Sequence, residues 1–249
     1  MTAARGFLIA VEGSLPTNME IRMEFPVVDL KLRNDLHLAR KIWHCGMGMI
    51  MMASYFFWLT RAQAMMWLAT AFLFNLGMEL GRLKSPELNA HIMKTWGGIM
   101  RSCEVNRVSG IPYYIGATLI SVTIFPKPIA ILSVVCLAVG DPIASLFGIT
   151  LGDKSVRFSN GKSLIGTMAG VIACSLVIAA SLLLFESYGM LRLNRDHFWM
   201  LSVIGGFAGG AAELTPMEID DNFAIPVISG FVLWLVFILL QIQIIQPTV

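Results

Sequence analysis

The chain has 249 residues, of which 56% are hydrophobic and only 14% charged, with a mean hydropathy of +0.72. A soluble domain carries about 25% charged residues, so this composition excludes an ordinary water-soluble globule and points to an integral membrane protein. The formal net charge of +2 excludes little; where the charges fall says more.

Residues 1–26 mark no clear element, and no cleavable leader is evident. Residues 27–41 put Val28, Leu32, Leu36 and Ala39 on one helical side and Asp29, Arg33, Arg40 and Lys41 elsewhere. That pattern suits an interfacial helix entering a membrane, or a plain cytosolic tail. Seven apolar stretches follow, over 42–59, 62–81, 108–126, 128–151, 164–185, 198–217 and 222–245. Each is near the ~20 residues that a spanning helix needs. The organisation expected is a tail, 1–41, and a membrane part, 42–249. The fold class expected is an all-α polytopic membrane protein with about seven transmembrane helices.

Fourteen Lys and Arg precede the first stretch or lie in the loops 82–107 and 152–163. Four, Arg61, Lys127, Arg192 and Arg195, lie on the other side. The positive-inside bias predicts a cytoplasmic N-terminus and an outside C-terminus. Nearly every remaining polar feature then shares the cytoplasmic face. Loop 82–107 is expected to carry a helix over 90–104, and the turn near 218–222 holds Glu218, Asp220, Asp221 and Asn222. A transporter of inverted repeats would share polar groups between faces; no repeat is visible, and one-sided chemistry favours an interfacial enzyme. The four cysteines, Cys45, Cys103, Cys136 and Cys174, form no C-x-x-C pair. They read as small buried hydrophobes rather than a zinc site or disulfide framework.

Gly140, Ala144, Gly148 and Gly152 recur every four residues, as do Gly166 with Gly170 and Gly206 with Gly210. Small residues at this spacing let helices approach closely in lipid. Among them sits Asp141, costly inside an apolar helix by roughly 2.5–3.5 kcal/mol. Ser145, four residues on, shares its face. Pro142 has no N–H, so the helix is expected to open or kink there. Freed carbonyls beside a carboxylate suit Mg²⁺; an Asp paired with a basic neighbour is the plainer alternative. The loop after this helix carries Asp153, Lys154, Arg157, Lys162 and Ser163. Gly161-Lys162-Ser163 is no P-loop, because Val156 stands where that pattern needs Gly. A Lys beside a helix N-terminus starting near Ser163 still makes an anion site, or merely satisfies topology. Arg40 and His44 are four apart at the mouth of the first helix, and Arg101 and Glu104 three apart on the loop helix. Glu213, Asp220, Asp221 and Asn222 cluster at the last turn. Carboxylates without local basic partners call for a metal or for lysines from another loop.

These pieces, in this order, resemble the CTP-dependent lipid-alcohol kinases, which comprise the endoplasmic-reticulum-type diacylglycerol kinases, dolichol kinases and phytol kinases, in a superfamily with the CDP-diacylglycerol synthases. The matching residues are Ala39-Arg40-Lys41-Ile42-Trp43-His44, Glu79 with Arg82, Arg101 to Glu104 with Gly110, Gly140-Asp141-Pro142-Ile143-Ala144-Ser145 with Gly148 and Gly152, Lys162 to Thr167, and Glu213 with Asp220-Asp221-Asn222-Phe223-Ala224-Ile225-Pro226. The resemblance spans roughly 40–230. It implies transfer of the γ-phosphate of CTP to a lipid hydroxyl, with 42–249 as the catalytic part. Asp141, Asp220, Asp221 and Glu213 are then expected at Mg²⁺. Lys162, Ser163, Lys154, Ser145, Asp220, Asn222, Arg101 and Glu104 are expected around the nucleotide. His44 or a carboxylate would orient the lipid hydroxyl. The partners implied are CTP, a lipid alcohol and the bilayer, with no nucleic acid. The active site would face the cytoplasm, in the endoplasmic reticulum of a eukaryote or the inner membrane of a bacterium. A CTP:phosphatidate cytidylyltransferase is the nearest alternative, but its terminal paired-basic and glycine-rich signature is absent. A small-molecule or lipid transporter and a non-catalytic scaffold are further alternatives.

Overall fold

The computed structural model describes residues 36–214 and 220–245. Most of the predicted interfacial segment 27–41, and Glu218, lie outside the described residues. The described residues are almost wholly helical, with two isolated antiparallel bridges, Arg157 to Ser163 and Leu191 to Ile244, and no strand. The helices are α1 Leu38–Phe57, α2 Arg61–Lys84, α3 Pro86–Trp96, α4 Gly110–Ile124, α5 Lys127–Val135, α6 Asp141–Leu151, α7 Leu164–Ser187, α8 Arg195–Ala211 and α9 Asp221–Leu239. Among the described residues, each predicted apolar stretch contains helix. Four helical segments among the described residues are long and apolar enough to cross a membrane: Arg61–Lys84, Lys127–Lys154, Leu164–Ser187 and Asp221–Leu239.

Local chemistry explains the boundaries. Thr60 and Gln63 form a reciprocal capping box that starts α2. Ser85 caps α3, with Pro86 at its first position. Ser109, Ser163, Asn194 and Asp220 cap α4, α7, α8 and α9 through their side-chain oxygens. The helix expected over 90–104 is displaced. Ser85-Pro86 is the stronger start signal, and Gly97 and Gly98 end the helix after Trp96. Arg101 and Glu104 instead flank a separate 3₁₀ turn, Ser102–Glu104.

The stretch 128–151 is one apolar run in sequence but three elements in space: α5, a π-helical turn Cys136–Gly140, and α6. The opening expected at Pro142 is this turn. Pro142 offers no N–H to the carbonyl of Ala138 and its ring crowds that carbonyl, so the backbone widens just before it.

The helix α5 is the axis of the bundle. Every residue from Pro128 to Val135 is buried, and α1, α4, α7 and α9 pack around it. In lipid such packing depends on close fit rather than escape from water, and glycine supplies the fit. A Cβ on Gly166 would lie 2.8 Å from the Ala144 carbonyl oxygen of α6, and one on Gly210 of α8 would strike the backbone of Val171 in α7. The small-residue spacing is thus a packing device for α6, α7 and α8. The helices α1 and α2, though joined by residues 58–60 alone, pack on different partners. The former lies against α5, the π turn and α6, and the latter against α3 and α4, which leaves a wedge between them.

Candidate active site

One cleft forms where the N-terminal turns of α1 meet α6 and the segment before the 3₁₀ turn. It is lined by Arg40, Lys41, His44, Arg101, Asp141 and Ser145. One Arg40 Nη donates to Glu104 Oε2 and to the Ile99 carbonyl, each at 2.9 Å. The Arg101 backbone N–H donates to the same Glu104 oxygen at 2.9 Å. Burial alone would raise the Glu104 pKa; the Arg40 guanidinium and the Arg101 N–H outweigh it and hold the carboxyl below its ordinary range. Lys41 Nζ donates to Ser145 Oγ. His44 Nε2 lies 3.9 Å from Asp141 Oδ2 and 3.3 Å from the Leu137 carbonyl. That carbonyl belongs to the π turn, so the widened backbone supplies the contact that aims the imidazole. Tyr114 stacks on the ring at 4.5 Å and donates its hydroxyl to the His44 carbonyl at 3.2 Å.

Beside the cleft, three carboxylates converge from α6, the end of α8 and the start of α9. Ligand oxygens of Asp141, Glu213 and Asp221 lie within 4.8 Å of one another. Lys162 reaches across from the loop before α7, donating to Glu213 Oε2 at 2.8 Å and to Asp221 Oδ2 at 2.7 Å. Burial disfavours the Lys162 charge, but Glu213, Asp221 and Asp141 together outweigh it and raise its pKa above the ordinary lysine value. Thr167 Oγ1 is 3.4 Å from Glu213 Oε1. Asp220 accepts from the Asn222 N–H at 2.9 Å. Its carboxyl is pushed up by burial and by the charges of Asp221 and Asp141. An all-oxygen set of crowded carboxylates fits a hard divalent cation such as Mg²⁺.

The loop carrying Lys162 is a small hairpin. Phe158 N–H donates to the Lys162 carbonyl at 2.8 Å, and Gly161 N–H to the Phe158 carbonyl at 2.9 Å. Gly161 turns the chain at φ +81°, a left-handed conformation that suits a residue without Cβ. Asn160 Nδ2 donates to the Glu213 carbonyl at 3.2 Å and ties the hairpin to the 3₁₀ turn Ala212–Leu214 that follows α8.

A buried ion pair holds the other wall. Arg82, 1% exposed, donates to both Glu79 oxygens at 3.1 and 2.7 Å. It also donates to the carbonyls of Val105 and Arg107 and to Asn89 Oδ1. Glu79 accepts in turn from the Ser109 N–H and hydroxyl at 2.7 and 3.1 Å. This pair pins segment 105–109 to α2, and so positions Glu104 and Gly110. Asn222 Nδ2 donates to the Gly110 carbonyl at 3.2 Å; a Cβ on Gly110 would sit 2.4 Å from that nitrogen.

Of the residues singled out from sequence, Asp141, Lys162, Glu213 and Asp221 meet, and His44, Arg101, Glu104 and Ser145 stand in or against the adjoining cleft. Asp220 caps α9, and Asn222 within its first turn joins it to α4. Ser163 is buried, with its hydroxyl accepting from the Gly166 N–H at 3.1 Å. Lys154 is exposed on the 3₁₀ turn Gly152–Lys154, outside the cleft lining. Lys41 and Tyr114 were not singled out as site residues. Lys41 lies one residue past Arg40 and was open to inclusion; Tyr114, 70 residues from His44, carried no local signal.

A second, apolar cavity of about 670 Å³ lies in the wedge between α1, α2 and α4. Arg40 and His44 line both it and the basic cleft.

No family model matches the chain, and no solved structure matches it. Several curated proteins do. The CTP-dependent diacylglycerol kinase 1 of Eremothecium gossypii is 27% identical over 208 residues, covering 78% of this chain and 65% of that protein. The protein of the same name from Saccharomyces cerevisiae is also 27% identical over 208 residues, covering 78% of this chain and 71% of its own length. A probable chloroplastic phytol kinase of Triticum aestivum is 30% identical over 129 residues, half of this chain and 43% of that protein. The chain thus spans about two thirds of the length of the diacylglycerol kinases it matches, and is similar to proteins named as CTP-dependent diacylglycerol kinases and as probable phytol kinases.

Proposed function

We propose that the protein transfers the γ-phosphoryl group of CTP to the hydroxyl of a membrane lipid alcohol, diacylglycerol or an isoprenoid alcohol, at the cytoplasmic surface. The observation that carries this reading is the shared wall. Arg40 and His44 separate a basic cleft, suited to a polyphosphate, from an apolar cavity, suited to a lipid. The choice of CTP follows the names of the relatives. The seven spans follow the seven apolar stretches, and the cytoplasmic face and outside C-terminus follow the Lys and Arg distribution.

In this mechanism the lipid oxygen forms a bond to the γ-phosphorus as the bond to the β-phosphate oxygen breaks, leaving CDP. Such transfer depends on positioning and charge neutralisation more than on covalent help. Lys41, Arg101 and Lys162 neutralise phosphate oxygens, and Arg40 holds Glu104 so that the cleft keeps its shape. Asp141, Glu213 and Asp221 hold Mg²⁺, with Asp220 beside them; bound there, the ion supplies further charge neutralisation. His44, stacked on Tyr114, orients the lipid hydroxyl and receives its proton.

The test is a transfer assay on purified protein with γ-labelled CTP or ATP and a panel of diacylglycerol, phytol, farnesol and a long polyprenol. Label should enter a lipid from CTP, and Asp141→Asn should lose at least about 100-fold in rate while remaining folded. Pyrophosphate release from CTP with phosphatidate, and no labelled lipid, would replace this reading with nucleotidyl transfer.

A further inference from the structure

We infer that the cavity between α1, α2 and α4 holds a hydrocarbon chain of the acceptor and restricts it to about one membrane leaflet in length; the inference rests on the lipid-kinase reading of the adjoining cleft.

The cavity has a polar head and an apolar body. Its head is the wall it shares with the cleft, at Arg40 and His44. Its body is lined by side chains such as Met47, Met51, Met52 and Leu68. Flexible thioethers adapt to chains of varied shape. The floor is Tyr55, 1% exposed, and Ala64, 2% exposed, beside the short 58–60 turn that closes the wedge. From His44 to Tyr55 is eleven residues along α1, or ~16 Å at helical rise. Half of a ~30 Å hydrocarbon core is about the same depth. A chain whose hydroxyl sits at His44 therefore ends at the floor when it is one leaflet long.

Volume gives the same limit. At ~30 Å³ for a group the size of a water or a methylene, 670 Å³ holds roughly twenty such groups. That is one chain of an isoprenoid alcohol or one of the two chains of a diacylglycerol. A second chain has somewhere to go, because the wedge opens sideways past the exposed Trp67 and Phe74. At the head of the opening, Trp43 and Trp96 face one another with ring centres 5.9 Å apart and are both exposed. Paired indoles are characteristic of headgroup depth, where the acceptor's hydroxyl must lie. A long polyprenol cannot be enclosed.

The experiment uses the full chain in lipid nanodiscs, with a single-chain alcohol carrying a diazirine at its far end. Photolabel is expected on Met52, Tyr55 or Leu68. It should be displaced by alcohols of up to about twenty carbons but not by a long polyprenol. Ala64→Phe raises the floor, and Ala71→Trp narrows the open side where a larger ring is accommodated without repacking. Each should raise the acceptor KM at least about tenfold for the longest accepted chain, the loss of burying roughly two methylenes. Shorter chains should lose less, and the KM for CTP should not move. Label confined to lipid-facing residues would overturn the inference, as would equal losses at every chain length or equal phosphorylation of the polyprenol. If the wild type transfers no phosphate to any alcohol, the kinase reading fails, while the photolabel still decides what the cavity holds.

Discussion

At the scale of single residues the site is governed by charge balance, and Lys162 is its pivot. It is the ammonium that lets Glu213, 7% exposed, lie against Asp221 and Asp141. Lys162→Met should leave the carboxylates uncompensated and cost about 3 kcal/mol of stability. It should also lower the transfer rate by at least about 100-fold. Adding Glu213→Gln to that variant should return most of the stability and none of the activity, a separation readable by thermal unfolding beside the labelled-CTP assay. Recovery of both would make Lys162 a folding residue alone. Glu104 makes a pH-dependent case. Its folded pKa lies below the ordinary value, so its stabilisation is complete at neutral pH. The loss begins as the unfolded state takes up a proton near the ordinary carboxylate pKa, and ends as pH falls through the depressed folded value. Glu104→Gln should therefore destabilise by about 2 kcal/mol at pH 7. The difference from wild type should shrink in acid, as measured by unfolding midpoints across that range.

At the scale of elements, two devices aim the side chains. The first is the Glu79–Arg82 pair, which holds 105–109 on α2. Arg82→Ala should destabilise by ~3–5 kcal/mol, because it leaves the Glu79 charge buried without its partner. Limited proteolysis should then cut first within 97–109. The second is the π turn before Pro142. Pro142→Ala restores an N–H and permits an ordinary α-helical register. We expect unchanged or higher thermal stability and a lower rate, because the Leu137 carbonyl no longer meets His44. A lower stability with an unaltered rate would remove the turn from the mechanism. These devices divide what was legible in the sequence from what was not. Apolar runs, caps and the Pro142 opening depend on neighbours within a turn or two, and they read directly. The helix expected over 90–104 instead starts at the Ser85 cap and stops at Gly97 and Gly98, which are themselves local signals. The convergence of Lys162 with Glu213 and Asp221 spans 51 and 59 residues and depends on how α7, α8 and α9 pack. The lack of local basic partners for Glu213 and Asp221 called for a metal or a lysine from another loop, but which lysine answers it was not legible from spacing.

At the scale of the whole molecule, every element of the proposed mechanism lies at one end of the bundle. The N-terminal turns of α1, α6, α7 and α9, the C-terminal end of α8 and the segment 97–109 all meet there. The opposite end holds the turns at 58–60 and 125–126 and the connection 188–194. A protein that takes a charged donor from water and a lipid acceptor from the bilayer needs this polarity, since both substrates must reach one point from different phases. The polarity also makes the topology testable. Helix α7 has 24 residues, ~36 Å at helical rise, enough to separate its ends by a full ~30 Å core. With the native cysteines replaced, single cysteines at Val156 and at position 103 should react with a membrane-impermeant maleimide only from the cytoplasmic side of sealed vesicles. Cysteines at Thr60, Arg192 and Gln241 should react only from the other side. Val156 and Arg192 reacting from the same side would mean that α7 does not cross. Thr60 and Gln241 on opposite sides would make the number of crossings between them odd. Either result would dissolve the seven-span arrangement, while the alternating pattern would fix the cleft, the three carboxylates and the mouth of the cavity on the face where CTP is found.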